Sequence, residues 1–490
     1  MEQLSPRIQD EHIKRSLKKT SKKRHPWRIV WLIVLVLVIA AGGYVWFKFM
    51  EYGQAKTSVL LEQGAAQEQS LEFAAALDTY RQAQALGLVA HEQAAQAAFR
   101  AGGIYQSKSA LPEALTMYQN AFDLDGANPD YWEAAALVMF VQNDLAGLEN
   151  LLESAPSAVA GSGQLETIAA RVALRAGKDD VALEHLEAAD EYSPALLLSG
   201  SLRLVEKKSD AIAVIKQAAP DLTRAADIGL ATDLLAAAAT LSGRQHVTDY
   251  LSVAVVALDN EYAGLALSQT TIVLTKDDSN RDAWVYQAAA YVELGQLDQA
   301  ASSAEKAQTI DPIFGYTRYV LSQIAKMRGD TAEAIEHIRD AIMLEYDSVD
   351  VRLQLAALEL NNGSLDGAEE VLLQAIADLD KPEIYEALFW FSYLDAQDLS
   401  AAEHVAQDFL DEYPRDSRAA GVSAVFEALQ GDSAKALAAA EDLLSRDPFS
   451  ALAYLVRGLA ASEKADLLRA IDLDFNGPVA RAAEERLAED

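Results

Sequence analysis

Five alanines, Ala300, Ala334, Ala368, Ala402 and Ala436, stand 34 residues apart without a break. Gly295, Gly329 and Gly363 hold the same step, and Gly431 falls two steps further on. Ala307, Ala341 and Ala375 repeat it, and Pro312, Pro414 and Pro448 lie at multiples of 34. Five units, 281–314, 315–348, 349–382, 383–416 and 417–450, therefore share one register with no insertion. A period of this length means one supersecondary unit built repeatedly, each copy burying its apolar face against the next.

Apolar residues beyond residue 50 recur at helical spacing, with no sustained strand-type alternation. Gly295 falls where a first helix ends, a place for the left-handed cap that glycine adopts cheaply. Ala288, Ala300 and Ala307 put small residues on facing helix sides, which lets two helices approach to about 8–10 Å. Trp284 and Tyr291, seven apart on one face, fill the space between neighbouring hairpins. Pro312 ends the second helix. Each unit is thus an antiparallel helix pair, and the expected fold class is all-α, an α-solenoid.

In these positions the sequence resembles the tetratricopeptide repeat family, whose pattern runs W-x2-L-G-x2-Y, then A-x3-F, then P. Unit 281–314 supplies Trp284, Gln287, Ala288, Tyr291, Ala300, Ala304, Ala307 and Pro312. Gln287 replaces the usual leucine and Ala304 the usual aromatic residue. In unit 383–416 Trp390 stands where a small residue is usual, which predicts a splayed hairpin. Upstream the register runs through Ala76, Tyr80 and Ala83, then Ala114, Tyr118 and Ala121, then Ala155 and Ala189. It weakens over 195–245 and is rejoined by Tyr250, Ala254, Ala266 and Val273. The resemblance covers roughly 54–475 and implies about eleven hairpins. The expected organisation is N-terminal repeats over 50–220, irregular or diverged repeats over 221–280, a regular array over 281–450, and a shortened repeat with a capping helix over 451–490.

Charge marks off the N-terminus. Residues 1–28 carry nine Lys+Arg against three carboxylates, leaving 32 cations and 71 carboxylates in 29–490. Ile29 to Phe47 are 19 residues without a charge, about 28 Å as a helix and close to the ~30 Å hydrocarbon core of a bilayer. Trp27 and Trp31 flank one end, and Tyr44, Trp46, Phe47 and Tyr52 the other, as an interfacial aromatic belt requires. The pattern predicts a basic cytoplasmic tail over 1–26, a transmembrane signal-anchor helix over 27–49, and export of everything beyond. A cleaved signal peptide is the competing reading, since Ala40, Ala41 and Gly42 are small. The apolar run continues past them to Phe47 behind a long basic stretch, which favours an uncleaved anchor. The expected location is the cytoplasmic (inner) membrane of a bacterial envelope, single-pass, N-terminus cytoplasmic and solenoid extracytoplasmic, with residues 27–49 contacting the bilayer.

The formal net charge of −33 argues against sequence-independent nucleic-acid binding and favours basic or amphipathic protein or peptide partners. The absence of cysteine excludes disulfides and thiolate metal sites. No catalytic constellation emerges from the seven scattered histidines. His91-Glu92 opens like a zinc-protease motif, but Ala95 stands where its second histidine belongs. Asp278, Asn280 and Asp282 alternate like a calcium loop, with Ala283 and Ala289 in place of its glycine and glutamate. Gly161-Ser162-Gly163 lacks the setting of a phosphate loop. The expectation is a protein without enzymatic activity, cofactor or metal.

The resemblance implies a partner-binding groove lined by the first helix of each unit. Mapped onto this chain, its positions give Tyr316, Tyr319 and Gln323 from the second regular unit, Leu353 and Ala357 from the third, and Phe391 from the fourth. The lysine and asparagine of the family's carboxylate clamp are absent, with Val285 and Ala289, Tyr319 and Gln323, and Leu353 and Ala357 standing there. The expected function is a membrane-anchored, non-catalytic scaffold that presents this groove to protein partners, in assembly of an envelope complex. A self-associating structural protein and an accessory domain of an enzyme complex are the alternatives.

Overall fold

The computed structural model describes residues 26–70, 72–157, 159–242, 244–474 and 477–489, with side chains described from Gly42 onward, Leu145 and Glu489 excepted. These residues form 26 α-helices, one 3-10 turn (Ala219–Asp221), one π turn (Phe391–Asp395) and no strand. The predicted basic tail lies outside the described residues except for Pro26.

The first helix, α1 (Pro26–Gln69), has 44 residues and a length of about 66 Å. Its C-terminal half is the first helix of the first hairpin. Gly53, Thr57 and Gly64 are buried there. A Cβ on Gly64 would come within 2.5 Å of the Tyr80 ring, so a glycine is what lets α2 (Phe73–Gln84) pack this closely. Further toward its N-terminus α1 stands clear of the protein, with Tyr44, Val45, Trp46, Phe47, Phe49 and Tyr52 all more than half exposed. Among the described residues no helix is long and apolar enough to cross a membrane. Within the predicted span 27–49, the side chains of 27–41 lie outside the described residues.

Hairpins follow in order: α3/α4 (His91–Ser107, Leu111–Leu124), α5/α6 (Pro129–Val141, Leu145–Ser154), α7/α8 (Gly163–Arg175, Asp179–Ala188) and α9/α10 (Ser193–Arg203, Lys208–Ala218). A single helix, α11 (Ala225–Ala238), interrupts the pairing before α12/α13 (Val247–Asp259, Ala263–Lys276). The regular array is α14/α15 (Arg281–Glu293, Leu297–Ile310), α16/α17 (Gly315–Arg328, Thr331–Met343), α18/α19 (Val349–Asn361, Leu365–Leu379), α20/α21 (Pro382–Trp390, Leu399–Glu412) and α22/α23 (Ser417–Leu429, Ser433–Arg446). The shortened pair α24/α25 (Ala451–Ala461, Lys464–Leu473) and the last helix α26 (Pro478–Glu489) close the stack.

The periodic alanines are the seam of each hairpin: Ala300, Ala334, Ala368 and Ala436 are 0% exposed and Ala402 1%. The turn that joins the paired helices is left-handed, with φ between +68° and +84° at Gly295, Gly329, Gly363 and Gly431. The same step of 34 lands on Gln397 and Glu261, and upstream on Ser109, Asn143 and Gly177, all at positive φ. Gly177 and Glu261 are 84 residues apart, which is no multiple of 34. The register therefore breaks once, between these two turns. In unit 383–416 the large Trp390 stands at the end of the first helix. It is 4% exposed, and the helix widens directly after it into the π turn that begins at Phe391.

Packing joins α14 to α16, α18 to α20 and α20 to α22, and no comparable packing joins successive second helices, so the first helices lie inside the curve. At the register break the chain doubles back and α7 lies against α13. A Cβ on Gly264 would meet Leu174 Cβ at 3.0 Å and the Arg175 amide nitrogen at 3.3 Å. Ser268 Oγ donates to Asp179 Oδ2 at 2.6 Å, and Asn143 Nδ2 donates to the Leu294 carbonyl at 3.0 Å. One apolar cluster runs through this elbow from Ala170 to Leu294. The stretch expected to be irregular over 221–280 thus holds one unpaired helix, α11, and one ordinary hairpin, α12/α13. Lys108, just after α3, pairs with Asp472 of α25, so the superhelix brings its second hairpin round to its last.

Candidate functional site

Gly315 opens α16, where a Cβ would lie 2.7 Å from Tyr346 Cβ and 2.8 Å from the Leu344 carbonyl oxygen. Its lack of a side chain lets α16 begin flat against the 344–346 turn, and this brings Tyr346 onto Tyr316 and Tyr319. The ring centroids are 5.2 Å apart for Tyr316 and Tyr346, and 5.1 Å for Tyr319 and Tyr346. Tyr316 and Tyr319, one helical turn apart, stack at 6.0 Å, and Tyr286 of α14 reaches Tyr316 at 5.9 Å. Gln354 of α18 donates to the Tyr319 hydroxyl at 3.1 Å and accepts from Gln323 Nε2 at 2.6 Å. Four tyrosines and two glutamines from three consecutive units thus form one surface on the inner side of the array.

Burial pushes the Tyr346 phenol up to about 12, and Tyr319 and Asp259 push it the same way. Tyr316 and Tyr286 are raised as well, again chiefly by burial. These phenols stay protonated at any physiological pH and serve as neutral hydrogen-bonding groups. Carboxylates edge the tyrosines. Glu293, at the end of α14, has its carboxyl pushed up to about 7, first by the protein crowded around it and then by Glu261, with Arg175 opposing. Asp259 is raised by burial and by Asp233. Aromatic faces bordered by carboxylates suit a segment carrying Lys or Arg among apolar side chains. Among the described residues no group of three or more His, Asp or Glu is placed to hold a metal ion.

Of the residues singled out in the sequence, Tyr316, Tyr319 and Gln323 are brought together here, each half-buried. Leu353 is half-buried against the apolar core, and Ala357 is exposed one turn further along α18. Phe391 is a correction: it is 4% exposed and packs among Leu355, Leu358, Ile384 and Leu388. With Trp390 buried beside it and the helix widened at this point, its ring fills the space between hairpins and does not line the groove. Tyr286, Tyr346 and Gln354 went unforeseen. Tyr346 sits in the turn between units, which no first-helix position covers, and Gln354 takes its role from Tyr319 across a helix interface.

Models described as Tetratricopeptide repeat match residues 325–388 and 392–451. No curated protein matches the chain. Among solved structures it is similar to yeast Tom70, with 13% identity, a TM-score of 0.36, and coverage of 88% of this chain and 96% of that one. It is also similar to the APC/C hetero-tetramer Cut9-Hcn1, with 14% identity, a TM-score of 0.35, and coverage of 89% and 98%. A thermophilic TPR protein of Thermus thermophilus gives 22% identity, a TM-score of 0.30, and coverage of 36% and 98%.

Proposed function

We propose that this chain, whose residues 325–388 and 392–451 match tetratricopeptide repeat models, is a non-catalytic scaffold, anchored in the cytoplasmic membrane, that holds protein partners on the extracytoplasmic side. The observation that carries the reading is the inner surface formed by Tyr286, Tyr316, Tyr319 and Tyr346 beside Asp259 and Glu293. Aromatic residues gathered on a rigid concave face are typical anchor points for a partner, and the carboxylates select a basic one. Two features support the anchor: the uncharged run Ile29 to Phe47 behind a basic tail, and the exposure of Tyr44, Val45, Trp46 and Phe47 where α1 leaves the solenoid.

In-cell photo-crosslinking tests both parts, with the probe at Tyr319 and a control at Glu336, which is exposed on the second helix α17. A partner captured in the membrane fraction from Tyr319 alone is the expected result. Equal capture from both positions, or only a second copy of the chain, would sink the groove reading. Recovery in the soluble fraction would sink the anchor.

A further inference from the structure

Two arginines in the described part of the chain are buried, and they live in opposite surroundings. Arg352, 6% exposed, holds Asp347 at 2.7 Å and Asp378 at 2.9 Å. Arg171 of α7, 9% exposed, makes no hydrogen bond or ion pair with any described residue. Its guanidinium lies over two aromatic rings, Tyr262 at 4.5 Å and Phe140 at 5.1 Å from the guanidinium carbon, with Asp227 and Glu261 acting on it through space. No acceptor among the described residues takes its donors, and they are not sealed off but open onto the space around it. Burial lowers its proton affinity.

Arg171 borders a cavity of about 270 Å³ inside the elbow. Arg224 lies on the same cavity, 3.6 Å from Asp227. Asp227, 1% exposed, also accepts the Tyr262 hydroxyl and is the cavity's one lining carboxylate among the described residues. Glu261 is exposed on an adjoining cleft, and Glu133 acts on Tyr192 from a distance. Arg171 and Arg224 share one lining carboxylate, Asp227, and Glu261 acts on Arg171 from the adjoining cleft. The remaining walls combine Leu137, Ile168, Pro194 and the Tyr192 ring, whose hydroxyl donates to Gln164 at 3.1 Å, with the polar side chains of Gln164, Thr167 and Thr223. The volume falls below the ~300–1,000 Å³ of sites for drug-sized ligands.

We propose that this elbow cavity binds a small organic carboxylate, its charged end held by Arg171 and Arg224 and its apolar body by the aromatic and aliphatic walls. Two guanidiniums beside aliphatic and aromatic walls suit a carboxylate with an apolar body better than inorganic phosphate. The cavity is walled by α7, the start of α9, the 223–227 segment and Tyr262, which stand on both sides of the register break, so the ligand would pin the elbow closed. The site stands apart from the tyrosine surface and does not depend on the scaffold reading.

The test is thermal unfolding of the full chain in detergent micelles with acetate, isobutyrate, benzoate, 4-hydroxyphenylacetate and inorganic phosphate. An aromatic or branched carboxylate is expected to raise the melting temperature by about 2 °C or more at saturation. Arg171→Met is expected to abolish that shift while raising the ligand-free melting temperature, since it removes an unpaired buried charge. Arg224→Met, at the more exposed position, keeps the test decisive if Arg171→Met does not fold, and should weaken binding about tenfold, the loss of one charged hydrogen bond. A shift that survives both substitutions, a larger shift with phosphate, or no shift with any carboxylate would overturn the proposal.

Discussion

In the regular array the polar contacts between units join residues about one repeat apart. Arg328 holds Asp298 at 30 residues, Gln323 meets Gln354 at 31, Tyr413 donates to the Asp380 carbonyl at 33, and Arg418 reaches Glu383 at 35. At the elbow the spans are 89 for Asp179 with Ser268 and 151 for Asn143 with Leu294. The array is therefore close to a one-dimensional stack whose stability is a sum over neighbours. The elbow behaves like a small globular core, with single contacts that no other unit duplicates. Damage to the array should stay where it is made, whereas damage to the elbow should change the shape of the molecule.

The largest expected effect lies in the array. Phe391→Ala empties a buried site and should cost about 3–5 kcal/mol. Hydrogen exchange should then show lost protection over 349–416, with the elbow amides of α7 and α13 unchanged. Loss spreading to the elbow would erase the distinction between the two regions.

A pair of glycines sharpens it. Gly264→Val drives a side chain into Leu174 and the Arg175 backbone, at an overpacking cost of about 1–3 kcal/mol. Because this contact holds α7 to α13, small-angle scattering should show a larger radius of gyration. Gly329→Ala meets nothing within 4 Å but keeps φ at +83°, so its cost of about 1–2 kcal/mol is pure backbone strain. Its radius of gyration should not move. An unchanged radius in the Gly264 variant would mean that the elbow is held by something other than this approach.

The same contrast decides what could be read from the sequence. The array was legible because every structural demand recurs: a small residue at the seam, a left-handed turn, a proline after the second helix. The turn was legible only where glycine fills it. Gln397, Glu261, Asn143 and Ser109 adopt the same left-handed conformation and gave no signal, because tertiary packing there overrides the preference for glycine. The elbow was visible only as a fading register over 195–245. Its contacts, such as Gly264 on Leu174 or Tyr262 on Asp227, have no second copy to reveal them. The candidate groove was half legible. Tyr316 and Tyr319 sit at first-helix positions, whereas Tyr346 reaches them only because Gly315 draws the helix onto the turn.

The smallest expected effect is electrostatic and has opposite signs in the two regions. Glu293 faces the elbow, where crowding and Glu261 raise its carboxyl to about 7. The folded state then holds a proton that the unfolded chain has released, so the favourable contribution is complete below the ordinary carboxylate range and is lost as pH rises toward 7. Glu383, at the start of α20, is lowered by its own backbone N–H and by Arg418, so its contribution is present at neutral pH and lost as pH falls through its depressed value. Both side chains are exposed, and screening keeps each effect small. Melting temperatures between pH 5 and pH 8 should therefore show Glu293→Gln gaining on the parent as pH rises, whereas Glu383→Gln keeps a constant small deficit there and closes it only as pH falls below the ordinary carboxylate range. If the Glu293→Gln curve runs parallel to the parent's, the carboxyl is not perturbed. The acidic edge of the tyrosine surface would then carry its full charge at every physiological pH, and partner capture should not change between pH 6 and pH 8.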